Sequence, residues 1–166
     1  MKKKGFLLAE ETVKIIIALI VIGVLIYLLT SLYFSKVQGD KLKQANSILL
    51  NSTGSLQQQI YDLEKGKFES DKFEFVLNNP TGWYFFSFTG NNLPTKCGGQ
   101  TCVCICDDTW FSSSQPGECH KNGACLVIPY LNPPKPDLEI YISSENPSTL
   151  EISKTGRLIN IKEKGK

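Results

Sequence analysis

Most of the equipment that enzymes use is missing from this sequence. It holds one histidine, His120, and neither a G-x-S-x-G nucleophile elbow nor a glycine-rich phosphate loop. With no nucleophile and base in view, no catalytic activity is expected. C-x-x-C, the spacing of thiol redox catalysts, is absent. So are the paired C-x2–4-C knuckles of structural zinc sites. No metal and no cofactor are therefore implied, although His120 adjoins Cys119 and both residue types ligate zinc. A charge excess is lacking too. Residues 35–166 carry fourteen Lys/Arg and fourteen Asp/Glu, and the chain's net +2 arises at its N-terminal end. A nucleic-acid partner needs a basic footprint, and none is present.

The most informative shortage is of charge near the N-terminus. Ile15 to Phe34 are twenty consecutive residues without one. As a helix this run spans about 30 Å, the thickness of a bilayer's hydrocarbon core. A core helix of a soluble domain would keep a polar face, and this run has none. A cleavable secretory signal would show small residues in an A-x-A-like pattern after the run. Thr30-Ser31-Leu32-Tyr33-Phe34 shows none, so the helix is expected to be retained as a single membrane span.

Lys2, Lys3 and Lys4 precede the run and favour a cytoplasmic N-terminus. Lys36, Lys41 and Lys43 follow it, so charge alone does not decide orientation. The cysteines do. Cys97, Cys102, Cys104, Cys106, Cys119 and Cys125 crowd into 29 residues. Such an even, dense set reads as a disulfide framework, which persists in oxidising surroundings. The C-terminal domain is therefore expected outside the cell.

Leu42, Ala45, Leu49, Leu56, Ile60 and Leu63 fall on one helical face, opposite Lys43, Gln44, Gln57, Gln58 and Asp62. This predicts an amphipathic stalk helix over 35–66, continuous with the membrane helix. Its weak points are Gly39 and Asn51-Ser52-Thr53-Gly54-Ser55, and Gly66 stands as a C-terminal cap. Strand signals follow at Lys72–Leu77, Trp83–Phe88, Thr101–Cys106, Ala124–Tyr130, Leu138–Ser143, Leu150–Lys154 and Arg157–Lys162. Thr155-Gly156 suggests a tight hairpin, and Pro133, Pro134 and Pro136 a stiff connection. The fold class expected is α+β, a long N-terminal helix followed by a small antiparallel, disulfide-rich β head over 67–166.

Cys102, Cys104 and Cys106 alternate with Val103 and Ile105, so in a strand all three thiols share one face. Neighbours at i and i+2 stand about 6.6 Å apart with parallel Cβ vectors, which suits neither a mutual disulfide nor a shared ion. Each should pair outside the strand, with Cys97, Cys119 or Cys125. Of the fifteen pairings open to six cysteines, those obeying this rule remain undivided. Asp107-Asp108 reads as a turn rather than an ion site. Trp83-Tyr84-Phe85-Phe86 reads as sheet core before binding surface, and Asn51-Ser52-Thr53 fits an N-glycosylation acceptor.

The first residues carry a motif. Three lysines and Gly5 precede Phe6-Leu7-Leu8-Ala9-Glu10, and then the apolar run begins. This resembles the class III signal of type IV prepilins, and Glu10-Glu11-Thr12-Val13-Lys14 with the Ile/Val/Leu run is similar to the archaeal pattern. The resemblance covers residues 1–34 and the plan of long helix then β head, not the cysteine-rich head itself. It implies a leader of residues 1–5, cut by a prepilin peptidase between Gly5 and Phe6, and an assembly helix over 6–34. Glu10 would neutralise the Phe6 amine of a neighbouring subunit in a surface filament. The rival expectation is a tethered extracellular binding module that does not polymerise, in which Glu10 pairs with Lys14 at i,i+4.

Overall fold

The computed structural model describes residues 4–51, 53–90, 93–107, 119, 123–132 and 138–165, the side chains of 4–11 and 51 excepted. The chain divides into two compact units, residues 1–39 and residues 40–166. Helix α1 spans Lys4–Asn46. Within the first unit every described side chain from Thr12 to Phe34 is exposed. The helix has a stretch long and apolar enough to cross a membrane, with none of it buried against the protein. Thr30 fits such a setting, because its hydroxyl donates to the Ile26 and Tyr27 carbonyls at 3.0 and 2.9 Å. A polar side chain satisfied by its own helix asks nothing of lipid.

In the second unit the predicted stalk is not one helix and does not stand apart. Gly39 remains helical, and the break falls at the other weak point. A π-helical turn, Ser47–Asn51, closes α1, and Gly54 takes φ +86°, a conformation glycine reaches without strain. Ser55 then caps helix α2, Leu56–Glu64, its hydroxyl accepting from the Gln58 N–H at 3.3 Å. The polar run Asn51–Ser55 competes for backbone hydrogen bonds and so interrupts the helix. Helix α2 ends in a Schellman motif at Gly66 (φ +68°). Gly66 N–H donates to Leu63 and Lys67 N–H to Asp62. The Lys67 ammonium also donates to the Asp62 carboxylate at 2.7 Å, which holds that carboxyl below its usual range. The tie is therefore in place above about pH 4 and lost as pH falls further.

Among the described residues, seven antiparallel strands form the head. Strands β1 (Lys72–Leu77), β6 (Ser148–Thr155) and β7 (Leu158–Glu163) make a three-stranded sheet in the order β1-β6-β7. Strands β2 (Tyr84–Phe88), β3 (Cys102–Cys106), β4 (Gly123–Val127) and β5 (Glu139–Tyr141) make a second, in the order β4-β3-β2-β5. Alternation in β1 turns Phe73, Phe75 and Leu77 inward and Lys72, Glu74 and Val76 outward. Phe73 faces Ile152, and Ile152 faces Ile161, which makes one apolar face across that sheet. The second sheet turns Phe85, Val103, Ile105, Ala124, Leu126 and Ile140 into the same core. A two-residue loop, Gly156-Arg157, joins β6 to β7, with Gly156 at φ +63°. The sheets are also tied by the chain leaving β4. Leu131 bridges to Ile159, with Asn132 N–H to the Ile159 carbonyl at 2.8 Å and Ile159 N–H to the Tyr130 carbonyl at 2.9 Å.

The face read as a stalk completes this core. Ala45, Leu49 and Leu56 are fully buried, and Ile60 and Leu63 nearly so. The compact head therefore begins at Asp40, not at residue 67. An apolar helical face that would be wet on a free stalk is instead covered by the sheets. The proline-rich connection reaches the described residues only at Leu131 and Asn132. Pro133, Pro134 and Pro136 lie outside them.

Candidate functional site

Two places gather the residues singled out in the sequence, one in each unit. Gly5, Phe6 and Glu10 fall in the first turns of α1, and their side chains lie outside the described residues. The Gly5–Phe6 bond is thus followed by unbroken helix up to and through the uncharged run Ile15–Phe34.

The second place is the outer face of the four-stranded sheet. Register aligns Tyr84 with Cys106, Phe86 with Cys104 and Phe88 with Cys102, and it aligns Tyr84 with Tyr141 and Cys104 with Cys125. Residues in register share a face, so one side of this sheet carries three aromatic residues of β2 beside the three cysteines of β3. All six cysteines are bridged, as Cys97–Cys102, Cys104–Cys125 and Cys106–Cys119. Each cysteine of β3 has its partner outside the strand, as the alternation requires. Cys104 and Cys125 face each other across the ladder with Cα atoms 4.1 Å apart, the close spacing of a non-hydrogen-bonded pair. Strand β3 is consequently buried on both faces, Val103 and Ile105 in the main core and the cysteines in a second cluster with Phe86, Phe88 and Val127.

The aromatic residues divide by the same alternation. Trp83 and Phe85 are fully buried as core. Tyr84, Phe86 and Phe88 are half-buried on the outer face, their rings in succession at 5.8 Å, and Tyr141 meets Tyr84 edge-on at 5.2 Å. The sequence predicts a strand over Trp83–Phe88 but suggests a binding surface only as far as Phe86. The continuation to Phe88 follows from period two within β2, whereas Tyr141 required knowledge of strand pairing.

The loop between Cys97 and Cys102 is built on two left-handed glycines, Gly98 at φ +59° and Gly99 at φ +78°. They turn the chain so that Cys97 returns to the end of β3. Beside the cluster, Lys96 donates to the Gly123 carbonyl at 2.6 Å. Gly123 sits where a side chain would be crowded. A Cβ there would stand 3.1 Å from the Ile105 carbonyl oxygen and 3.2 and 3.3 Å from Cβ and Sγ of Cys106. Gly123→Val should therefore displace Cys106, cost about 1–3 kcal/mol as overpacking does, and leave titratable thiol from the Cys106–Cys119 bridge. Urea midpoints and thiol counts on purified protein check this. Unchanged values would show that the strand shifts freely.

His120 and Asp108 lie outside the described residues, and Asp107 directly follows β3. No family model matches the chain, and no curated protein or solved structure matches it either.

Proposed function

We propose that this chain is a type IV pilin-like surface protein, a structural or adhesive subunit of an archaeal filament assembled through its N-terminal helix. The observation that carries the reading is the order of its first residues. Three lysines, Gly5, Phe6 and Glu10 precede the uncharged run Ile15–Phe34, and from Lys4 onward all of it lies on one helix. A prepilin peptidase would cut after Gly5 and leave Phe6 as the new terminus. The lysines before the span and the disulfides after it support a cytoplasmic leader and an outward head. The ring row of exposed Tyr141 and half-buried Tyr84, Phe86 and Phe88 favours a second reading, a tethered binding module that never polymerises.

Glu10 separates the two. A carboxylate at the edge of a lipid-embedded helix costs up to about 2.5–3.5 kcal/mol as it nears the centre, and a helix that only anchors gains nothing from it. An assembling helix gains a partner for the Phe6 amine, which would otherwise stay costly and unpaired in the filament. Glu10→Ala should leave membrane insertion intact, because Ile15–Phe34 supplies the apolar length, and should sharply reduce recovery in sheared surface filaments. Glu11→Ala should do less. Equal filament yield from wild type and Glu10→Ala would remove the assembly role.

A further inference from the structure

We propose that the head, when its cysteines are reduced, holds one zinc ion on Cys97, Cys102 and Cys104, with Cys125 as the fourth ligand. The sulfurs of two separate bridges converge. Sγ of Cys104 lies 3.8 Å from Sγ of Cys97 and 3.9 Å from Sγ of Cys102, and all three ligand atoms fall within 4.8 Å of one another. Four sulfurs about 2.3 Å from a tetrahedral zinc stand about 3.8 Å apart. Two of the six edges of such a tetrahedron are matched in the bridged state, and the Cys97–Cys102 edge opens when reduction breaks that bond. Cys125 is the candidate for the fourth ligand because it is bonded to Cys104 and faces it across the ladder, although its sulfur stands outside the group of three and must swing in once that bond is broken.

The local chain suits the role. Cys97-Gly98-Gly99-Gln100-Thr101-Cys102 has the C-x4-C spacing of a single zinc knuckle, and in place of the second knuckle that the sequence lacks, the strand pair supplies Cys104 and Cys125. Its Gly98 and Gly99 are left-handed, and Gln100 N–H closes the turn on the Cys97 carbonyl at 3.0 Å. Alternation along β3 predicted that Cys102 and Cys104 would stay too far apart to share an ion. Their side chains instead lean together over the returning Cys97. The three are at most 1% exposed, and Phe86, Phe88 and Val127 pack against the cluster, the dry surroundings in which thiolate sites hold metal. Thiolates select soft d10 cations such as zinc. Cys106 and Cys119 form the separate third bridge and are not ligands.

The redox balance is simple. A newly made chain carries these groups as thiols, and zinc takes up four thiolates with release of four protons. A thiol oxidant that removes four electrons joins the sulfurs as Cys97–Cys102 and Cys104–Cys125 and frees the ion. The site is therefore an alternative to the bridges, formed by the same four residues.

The test uses the full chain in detergent micelles, reduced with a phosphine, which takes oxygen from water as each bridge accepts two electrons and two protons. Cobalt(II) titrated into the metal-free protein should give a one-to-one endpoint with thiolate charge-transfer and tetrahedral ligand-field bands. Zinc should bleach them and restore the near-UV circular dichroism lost on reduction. The Cys106→Ser, Cys119→Ser double variant should keep both signals, and Cys97→Ser should lose the one-to-one endpoint. Absence of tetrahedral bands would overturn the proposal. So would equal loss in the Cys106→Ser, Cys119→Ser variant, which would mark indiscriminate binding by an unfolded, thiol-rich chain. Neither outcome bears on the filament reading, which rests on residues 1–34.

Discussion

Reduction of the three bridges in the presence of a chelator should unfold the head at ambient temperature, while the non-reduced chain stays folded. The bridges close loops with sequence separations of 5, 21 and 13 residues. Constraint of the unfolded chain contributes about 2–4 kcal/mol for each, somewhat less in sum because the Cys106–Cys119 loop nests inside the Cys104–Cys125 loop. Domains of this size are stable by only about 5–15 kcal/mol in all. Loss of the bridges also exposes the cluster with Phe86, Phe88 and Val127, so the second face of β3 becomes wet. Loss of near-UV circular dichroism and a collapse of the urea midpoint are the readouts. Superimposable unfolding curves with and without reductant would show that the main core suffices alone. Protein isolated from cells without reductant should contain no titratable thiol.

Substitution of Gly5 by a bulky residue should abolish leader removal altogether, an all-or-none change. In the family that the N-terminus resembles, the peptidase cuts after a glycine that follows basic residues. Gly5 follows Lys2, Lys3 and Lys4 directly. In cells that hold a prepilin peptidase, the wild type should lose Met1–Gly5, and Gly5→Leu should retain them. The Ile15–Phe34 span is untouched, so both should still reach the membrane. Equal masses for the two proteins would mean that the motif is not read.

Much of the head was legible because its strands are half-buried. Phe73, Phe75 and Leu77 alternate with outward residues, and period two fixes both the element and its face. The face Leu42, Ala45, Leu49, Leu56, Ile60 and Leu63 was legible as apolar, but an apolar face does not say what covers it. Read beside a membrane helix it suggested a stalk, whereas the sheets in fact close over it. The choice of bridges was hidden for a similar reason. Alternation dictates that Cys104 pair outside β3, but its partner depends on the register that sets Cys125 opposite, which is a property of two strands together. The approach of Cys97 to Cys104 needed the left-handed turn at Gly98 and Gly99, and spacing along the chain does not show where such a turn leads.

The filament reading is tested most directly by the N-terminal mass of the wild-type chain recovered from sheared surface filaments. A chain beginning at Phe6 and present in that fraction is the expected result. An intact Met1, with the protein confined to the membrane fraction, would contradict it and leave a tethered extracellular module in its place.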